Sequence, residues 1–217
     1  MDRGRLEAFS DGVFAVAITL LALDLAVPEL GHGPIGQQLH AHWPSFAAYV
    51  VSFFSIGIIW VNHHTLVRNF TVVDRTALYL NLLMLFFVAT IPFATATMAN
   101  YLRHSGADAT LAAVIYQGVF LGMSLAFGGL LWWSVHKRHL AVPLTGAAAR
   151  TALIRFTIGN LAYAAAIGIA YLSATASLAV SALVAVYYVF EQTPGRESAP
   201  TDGPAPADGE PGESAEP

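Results

Sequence analysis

Six stretches of this chain run almost free of charge, at about 9–27, 44–66, 76–100, 110–135, 152–171 and 174–191, and each approaches the roughly 20 residues that a helix needs to cross a bilayer. The last two are divided only by Tyr171-Leu-Ser-Ala-Thr-Ala-Ser177, a weak turn signal. The basic residues between them test the count, because Lys and Arg collect in cytoplasmic loops. Arg3 and Arg5 precede the first stretch, Arg68 and Arg75 follow the second, and Lys137, Arg138, Arg150 and Arg155 lie between the fourth and fifth; the intervening loops carry only Arg103. Six spans put all of these but Arg103 on one side, whereas five or seven would break the alternation. The pattern predicts an all-α, six-helix membrane bundle over residues 1–192, with both termini cytoplasmic.

Composition agrees with a multi-pass protein of the cell membrane. Hydrophobic residues make up 56% of the chain and charged residues 11%, a balance foreign to a soluble domain. With no cysteine, thiol catalysis, disulfides and Cys-based metal centres are excluded. The formal charge of −4 misleads, because acidic residues gather in the Pro/Gly/Glu/Ala-rich tail. Residues 193–217 cannot bury a core and are expected to be disordered. What remains is near neutral and has no basic patch suited to nucleic acid. The first stretch follows charged residues without a small-residue cleavage site, so it reads as a retained helix and not a signal peptide.

Trp43, Tyr101 and Trp132-Trp133 stand at span ends, where amphipathic rings settle at headgroup level. Gly118-x-x-x-Gly122, Gly128-Gly129, Gly159 and Ala162 are expected to let helices approach closely. Pro92 removes a backbone donor inside the third span and predicts a kink unless Thr90 compensates.

The densest chemistry lies where Arg5-Leu-Glu-Ala-Phe-Ser-Asp-Gly12 runs without a break into Val13-Phe-Ala-Val-Ala-Ile-Thr-Leu-Leu-Ala-Leu23. Ionisable groups at the mouth of a span are costly, which makes Arg5 and Asp11 functional candidates. On a helix, Val16, Leu20, Leu23 and Val27 share a narrow face with Thr19 at its edge, while Asp11 points roughly 140° and Ser10 roughly 120° away from Val16. By periodicity alone this stripe faces lipid or a neighbouring helix. Asp24, about 80° from Val16, is either an acidic group at a pore mouth or a headgroup-level carboxylate.

Arg5-x-x-x-Phe9-Ser10-Asp11, followed by an apolar helix carrying Thr19, resembles the first-helix signature of the transmembrane protein 175 potassium channels of lysosomes and bacteria. Trp60-x-x-His63-His64 in the second span supports the resemblance, which covers all but the tail. It implies a homotetramer of single-repeat subunits whose first helices line a central pore for potassium ions, with no cofactor. Val16 would form an aliphatic constriction, Leu20 and Leu23 further layers, and Thr19 a contribution to selectivity. Ile or Leu is usual where this chain has Val16, so a slightly wider ring is expected. An aliphatic ring offers no oxygen to replace water, which favours the less tightly hydrated potassium modestly over sodium. By the same resemblance, Arg5, Ser10, Asp11, Trp60, Asn62, His63 and His64 would form a polar network behind the pore, with Phe9 beside it.

Adjacent histidines on a helix point about 100° apart, and no His-x-x-x-His or nearby Glu completes a ligand set, which argues against a metal at His63-His64. A proton-sensing role fits histidine better. His32, His40 and His42 are read as solvated loop residues on the opposite side. Three alternatives remain beside a potassium channel: a proton-permeable channel, a proton-coupled carrier, for which only Asn81 and Pro92 speak, and a noncatalytic subunit. A membrane enzyme lacks a nucleophile–base pair and an acidic metal cluster within the spans.

Overall fold

A computed structural model describes residues 2–25, 33–104, 106–141 and 146–190. Its elements are α1 (Arg3–Leu21), a 3-10 turn (Ala22–Asp24), α2 (Ile35–Ala41), α3 (Trp43–Arg68), α4 (Arg75–Tyr101), α5 (Ala107–His136), α6 (Gly146–Ala170) and α7 (Ala174–Phe190). Among the described residues, four helices are long and apolar enough to cross a membrane, namely α3, α4, α5 and most of α6, while α7 is a shorter apolar helix. This is an integral membrane protein built of helices. Among the described residues the only β-type pairing is one isolated bridge, Phe70 with Leu140.

Local chemistry explains where the helices begin. The Asp2 carboxylate accepts from the Gly4 N–H, so α1 starts at Arg3 and carries the charged motif, earlier than the expected span near residue 9. Pro44 sits in the first turn of α3, where a missing donor costs nothing. The Tyr171-Leu-Ser173 turn does separate α6 from α7, and Ser173 Oγ accepts from Ala176 N–H at 3.2 Å. The short α2 is exposed throughout most of its length and was not foreshadowed by any apolar run.

At one end of the bundle the Asp74 carboxylate caps α4 by accepting from Ala77 N–H at 2.8 Å and from Trp133 Nε1 at 3.0 Å. Burial pushes this carboxyl up, but the hydrogen bonds from Ala77 and Trp133 and the nearby His139 and Lys137 outweigh it and leave it below its ordinary value. Trp133 is therefore a structural partner of a helix cap, not a free interfacial anchor, while Trp132 is half exposed as expected. Thr71 N–H and Ala141 N–H donate to His139 O and Asn69 O, both at 2.7 Å, and tie the α3–α4 and α5–α6 loops together. Arg3 donates to Arg68 O at 3.0 Å, and Lys137 lies over the Trp133 ring. Arg3, Arg68, Arg75 and Lys137 thus gather at one end, as the charge pattern demands. Arg103 donates to Ala41 O at the other.

The α4–α5 pair forms the centre. Met84, Val88, Ile91, Ala94 and Met98 of α4 meet Ala113, Tyr116, Phe120 and Leu130 of α5, all fully buried. α1 packs on α3 and α4, α6 on α5, and α7 on α6, α3 and α5. Buried polar side chains are matched across helices: Ser52 Oγ lies 2.7 Å from Thr95 Oγ1 and 3.0 Å from Tyr116 Oη. Gln117 donates to Ser177 O and accepts from Ser181 Oγ, both at 2.8 Å. In hydrocarbon such groups have no water to fall back on, so their pairing fixes which helix faces meet.

One packing expectation needs correction. Gly122, Gly129 and Gly159 are close-packed, but against the side chains of Phe87, Leu80 and Tyr188, whereas Gly118 and Gly128 meet nothing nearby within the chain. α4 continues through Pro92 as one helix. Thr90 does not compensate for the lost donor, because its hydroxyl bonds Phe86 O and not the carbonyl of Val88 that Pro92 leaves unmatched.

Candidate functional site

α1 has two unlike sides. Leu6, Ser10, Phe14, Ala17 and Leu21 recur at helical spacing and are buried against α3 and α4. The opposite side carries Phe9 (53% exposed), Val16 (57%), Leu20 (41%) and Leu23 (78%), an apolar stripe with no partner within the described chain. A shallow groove beside it is lined by Gly12, Val13, Val16, Leu20 and, from α4, Ala89. Thr19 is exposed at the edge of the stripe, its hydroxyl donating to Val16 O at 2.9 Å. Asp24 ends the 3-10 turn, but its side chain, like Val27, Glu29 and His32, lies outside the described residues.

The buried side is pinned by a relay of three helices. His63 Nε2 lies 2.7 Å from Asn81 Oδ1, Asn81 Nδ2 donates to Ser10 Oγ at 3.1 Å, and Ser10 Oγ donates to Leu6 O at 2.9 Å. Because the Asn81 amide faces Ser10 with its nitrogen, its oxygen faces the ring, which assigns the proton to His63 Nε2. Every donor in the relay then points toward α1, and the relay ends on a backbone carbonyl. Ser10, His63 and Asn81 are almost fully enclosed, and Phe14 packs against the His63 ring at 5.5 Å. Leaving one such group unmatched costs about 1–3 kcal/mol, which gives the relay leverage over the position of α1.

A second, half-exposed cluster ties α1 to α3. Trp60 Nε1 donates to Asp11 Oδ1 at 2.8 Å, the Trp60 ring lies 5.5 Å from that of His64, and His64 Nδ1 is 3.2 Å from Glu7 Oε1. Asp11, Ser10, Trp60, His63 and His64 therefore converge as the sequence suggests. Arg5 and Phe9 do not: both are exposed on the outer side, and Arg5 takes part in none of these bonds. Asn62 also stands apart, bonding Ile58 O and lining a cavity bounded by α3, α5, α6 and α7. Asn81 and Glu7 are the members that sequence reasoning missed. A lone amide among Leu80, Leu82 and Leu83 was the available signal for Asn81, since a polar group in a span must find a partner.

The site is thus a helix, α1, clamped by polar side chains on one side and bare and aliphatic on the other, within a bundle of membrane-spanning length. Residues 5–92 match the family model described as "Endosomal/lysosomal potassium channel TMEM175". A potassium channel of Streptomyces collinus is 49% identical over 195 residues, covering 89% of this chain and 94% of that protein. The crystal structure of a lysosomal potassium-selective channel TMEM175 homolog from Chamaesiphon minutus superposes with a TM-score of 0.77 at 34% identity, over 87% of this chain and 97% of that one. The human endosomal/lysosomal proton channel TMEM175 is 31% identical over 153 residues, 66% of this chain and 30% of its own length. The chain belongs to the TMEM175 family, a family of ion channels and not a class of enzymes.

Proposed function

We propose that the protein is a potassium-permeable cation channel in which four copies meet with their α1 stripes around a shared axis. In this reading α1 and α7 cross the cell membrane together with the four longer helices, which makes residues 1–192 a six-span domain. The arginine-rich end of the bundle and both termini are cytoplasmic, and so is the acidic tail of residues 193–217. Val16 forms the narrowest ring, Leu20 and Leu23 form further aliphatic layers, and Thr19 supplies the hydroxyl nearest the constriction. Asp24 stands near the outer mouth, where a ring of carboxylates concentrates cations.

One observation carries this reading: the exposed Val16, Leu20 and Leu23 stripe sits on the helix that the chain anchors most elaborately from behind. A helix that merely faced lipid would gain little from two polar clamps that fix its rotation. Ion passage then depends on the width and wetting of the aliphatic rings, which favour the ion that sheds water more easily. Arg5 and Phe9, on the same exposed side about three and two turns before Val16, belong to the subunit contacts at the cytoplasmic entrance.

A second reading, proton permeation, is favoured by the human relative, an endosomal/lysosomal proton channel. The Ser10–Asn81–His63 relay weighs against this chain carrying protons along it, because it terminates at Leu6 O. Bilayer recordings of the purified protein under potassium/sodium gradients test the proposal. Val16→Asn and Leu23→Ala are expected to lower the potassium/sodium permeability ratio severalfold, about 1 kcal/mol of barrier. Unchanged ratios in both variants would remove the aliphatic-ring mechanism.

A further inference from the structure

The Glu7–Asp11–His64 cluster has a composition and spacing that the anchoring role alone does not require. One carboxylate oxygen from each acid and one imidazole nitrogen all lie within 4.8 Å of one another. They come from two helices, Glu7 and Asp11 sharing a face of α1 at i and i+4, and His64 approaching from α3. Ligands held at about 2.0–2.2 Å around a tetrahedral zinc-like ion stand ~3.4 Å from one another. The separation of His64 Nδ1 from Glu7 Oε1, 3.2 Å, is close to that edge.

The nitrogen supplies a second observation. His64 Nδ1 is shielded from solvent and has no hydrogen-bond partner, although the Glu7 oxygen is near enough to accept from it. The carboxylate is off the line along which Nδ1 would donate. That is poor geometry for a hydrogen bond and the expected geometry for two ligands that converge on a third atom. Trp60 completes the arrangement by holding Asp11 Oδ1, which orients that carboxylate, and by packing its ring at a tilt against that of His64. Metal sites use such outer hydrogen bonds to fix their ligands. Arg3 and Arg68 line a cavity on the far side of His64, where the Arg3 guanidinium donates to Arg68 O and Phe70 O at the end of α3.

We propose that Glu7, Asp11 and His64 bind one divalent transition-metal ion of the zinc class per chain, with water in the remaining position, and that the ion cross-links α1 to α3. The expectation from sequence, that His63-His64 lacks a Glu to complete a ligand set, holds along α3 but overlooks α1. His63 is not involved, since its ring turns to Asn81. The site lies within one subunit and does not depend on how the protein conducts ions.

Titration of the tag-free, metal-stripped full-length protein with cobalt(II) chloride tests this, because four-coordinate cobalt absorbs visibly. One saturable equivalent per chain, displaced by zinc(II), is expected. Glu7→Gln and His64→Gln should each weaken it at least tenfold, and Trp60→Phe by about 10–100-fold through the loss of Asp11 orientation. His42→Gln, in the loop at the other end, should bind as wild type. Because the chain has no cysteine of its own, Glu7→Cys gives a further readout: a thiolate–cobalt charge-transfer band appears only if position 7 touches the metal. Wild type without saturable absorption overturns the proposal, as does absorption that survives Glu7→Gln and His64→Gln or a Glu7→Cys protein that binds cobalt without the thiolate band.

Discussion

Thr19 stands one turn beyond Val16 and spends its hydroxyl proton on the Val16 carbonyl. Its oxygen lone pairs therefore remain for whatever passes, whereas Val16, Leu20 and Leu23 offer only carbon. In the proposed pore Thr19 is the one residue near the constriction able to replace a water of a partly dehydrated cation. Thr19→Val keeps the shape and removes that oxygen, so the potassium/sodium ratio should fall severalfold with little change in assembly; reversal potentials under bi-ionic conditions read this directly. The same reasoning separates Ser10 from Thr19. Both are hydroxyls on α1, but Ser10 is enclosed and committed to Asn81 and Leu6, so its loss is felt in the position of the helix and not in ion chemistry.

α1 as an element is held by what lies behind it. Replacing Asn81 with Leu leaves both His63 Nε2 and the Ser10 hydroxyl without their partner, and the protein should lose about 1–3 kcal/mol in detergent unfolding. Trp60→Phe, at a half-exposed site, should cost less. At the start of α4, Asp74→Ala should cost about 1 kcal/mol at neutral pH through loss of the cap. Because the folded carboxyl lies below its ordinary value, its contribution is complete above about pH 4 and disappears as the pH falls through the lower folded value. Acid unfolding of Asp74→Ala should accordingly show a shallower loss at low pH than wild type.

The stripe on α1 was readable in the sequence because it repeats at the helical period, and the motif residues Ser10, Asp11, Trp60, His63 and His64 because they match the family signature. The rest had no such mark. Asn81 is a single amide without periodicity, Glu7 falls between the motif positions, and Arg5, placed in the network by likeness, lies with Phe9 four residues on at the exposed side. Helix starts were late in the expectation for a similar reason: hydropathy ignores residues 3–8, while the Asp2 cap extends the helix through them.

At the scale of the whole molecule, the four long spans, the shorter α7 and the clamped α1 account for the apolar runs among the described residues, and Arg3, Arg68, Arg75 and Lys137 sort to one end, opposite Arg103. What the single chain leaves unfinished is the outer side of α1, and the proposed assembly finishes it. Cysteine scanning during recording tests this most directly, since the natural chain carries no thiol. Val16→Cys and Leu23→Cys channels should lose current progressively when a water-soluble, charged thiol reagent is added. Leu161→Cys, on the exposed side of α6 and away from α1, should be unaffected. Current that persists at positions 16 and 23 while the reagent blocks at 161 would contradict the account, because α1 would then face lipid and another helix would line the conduit.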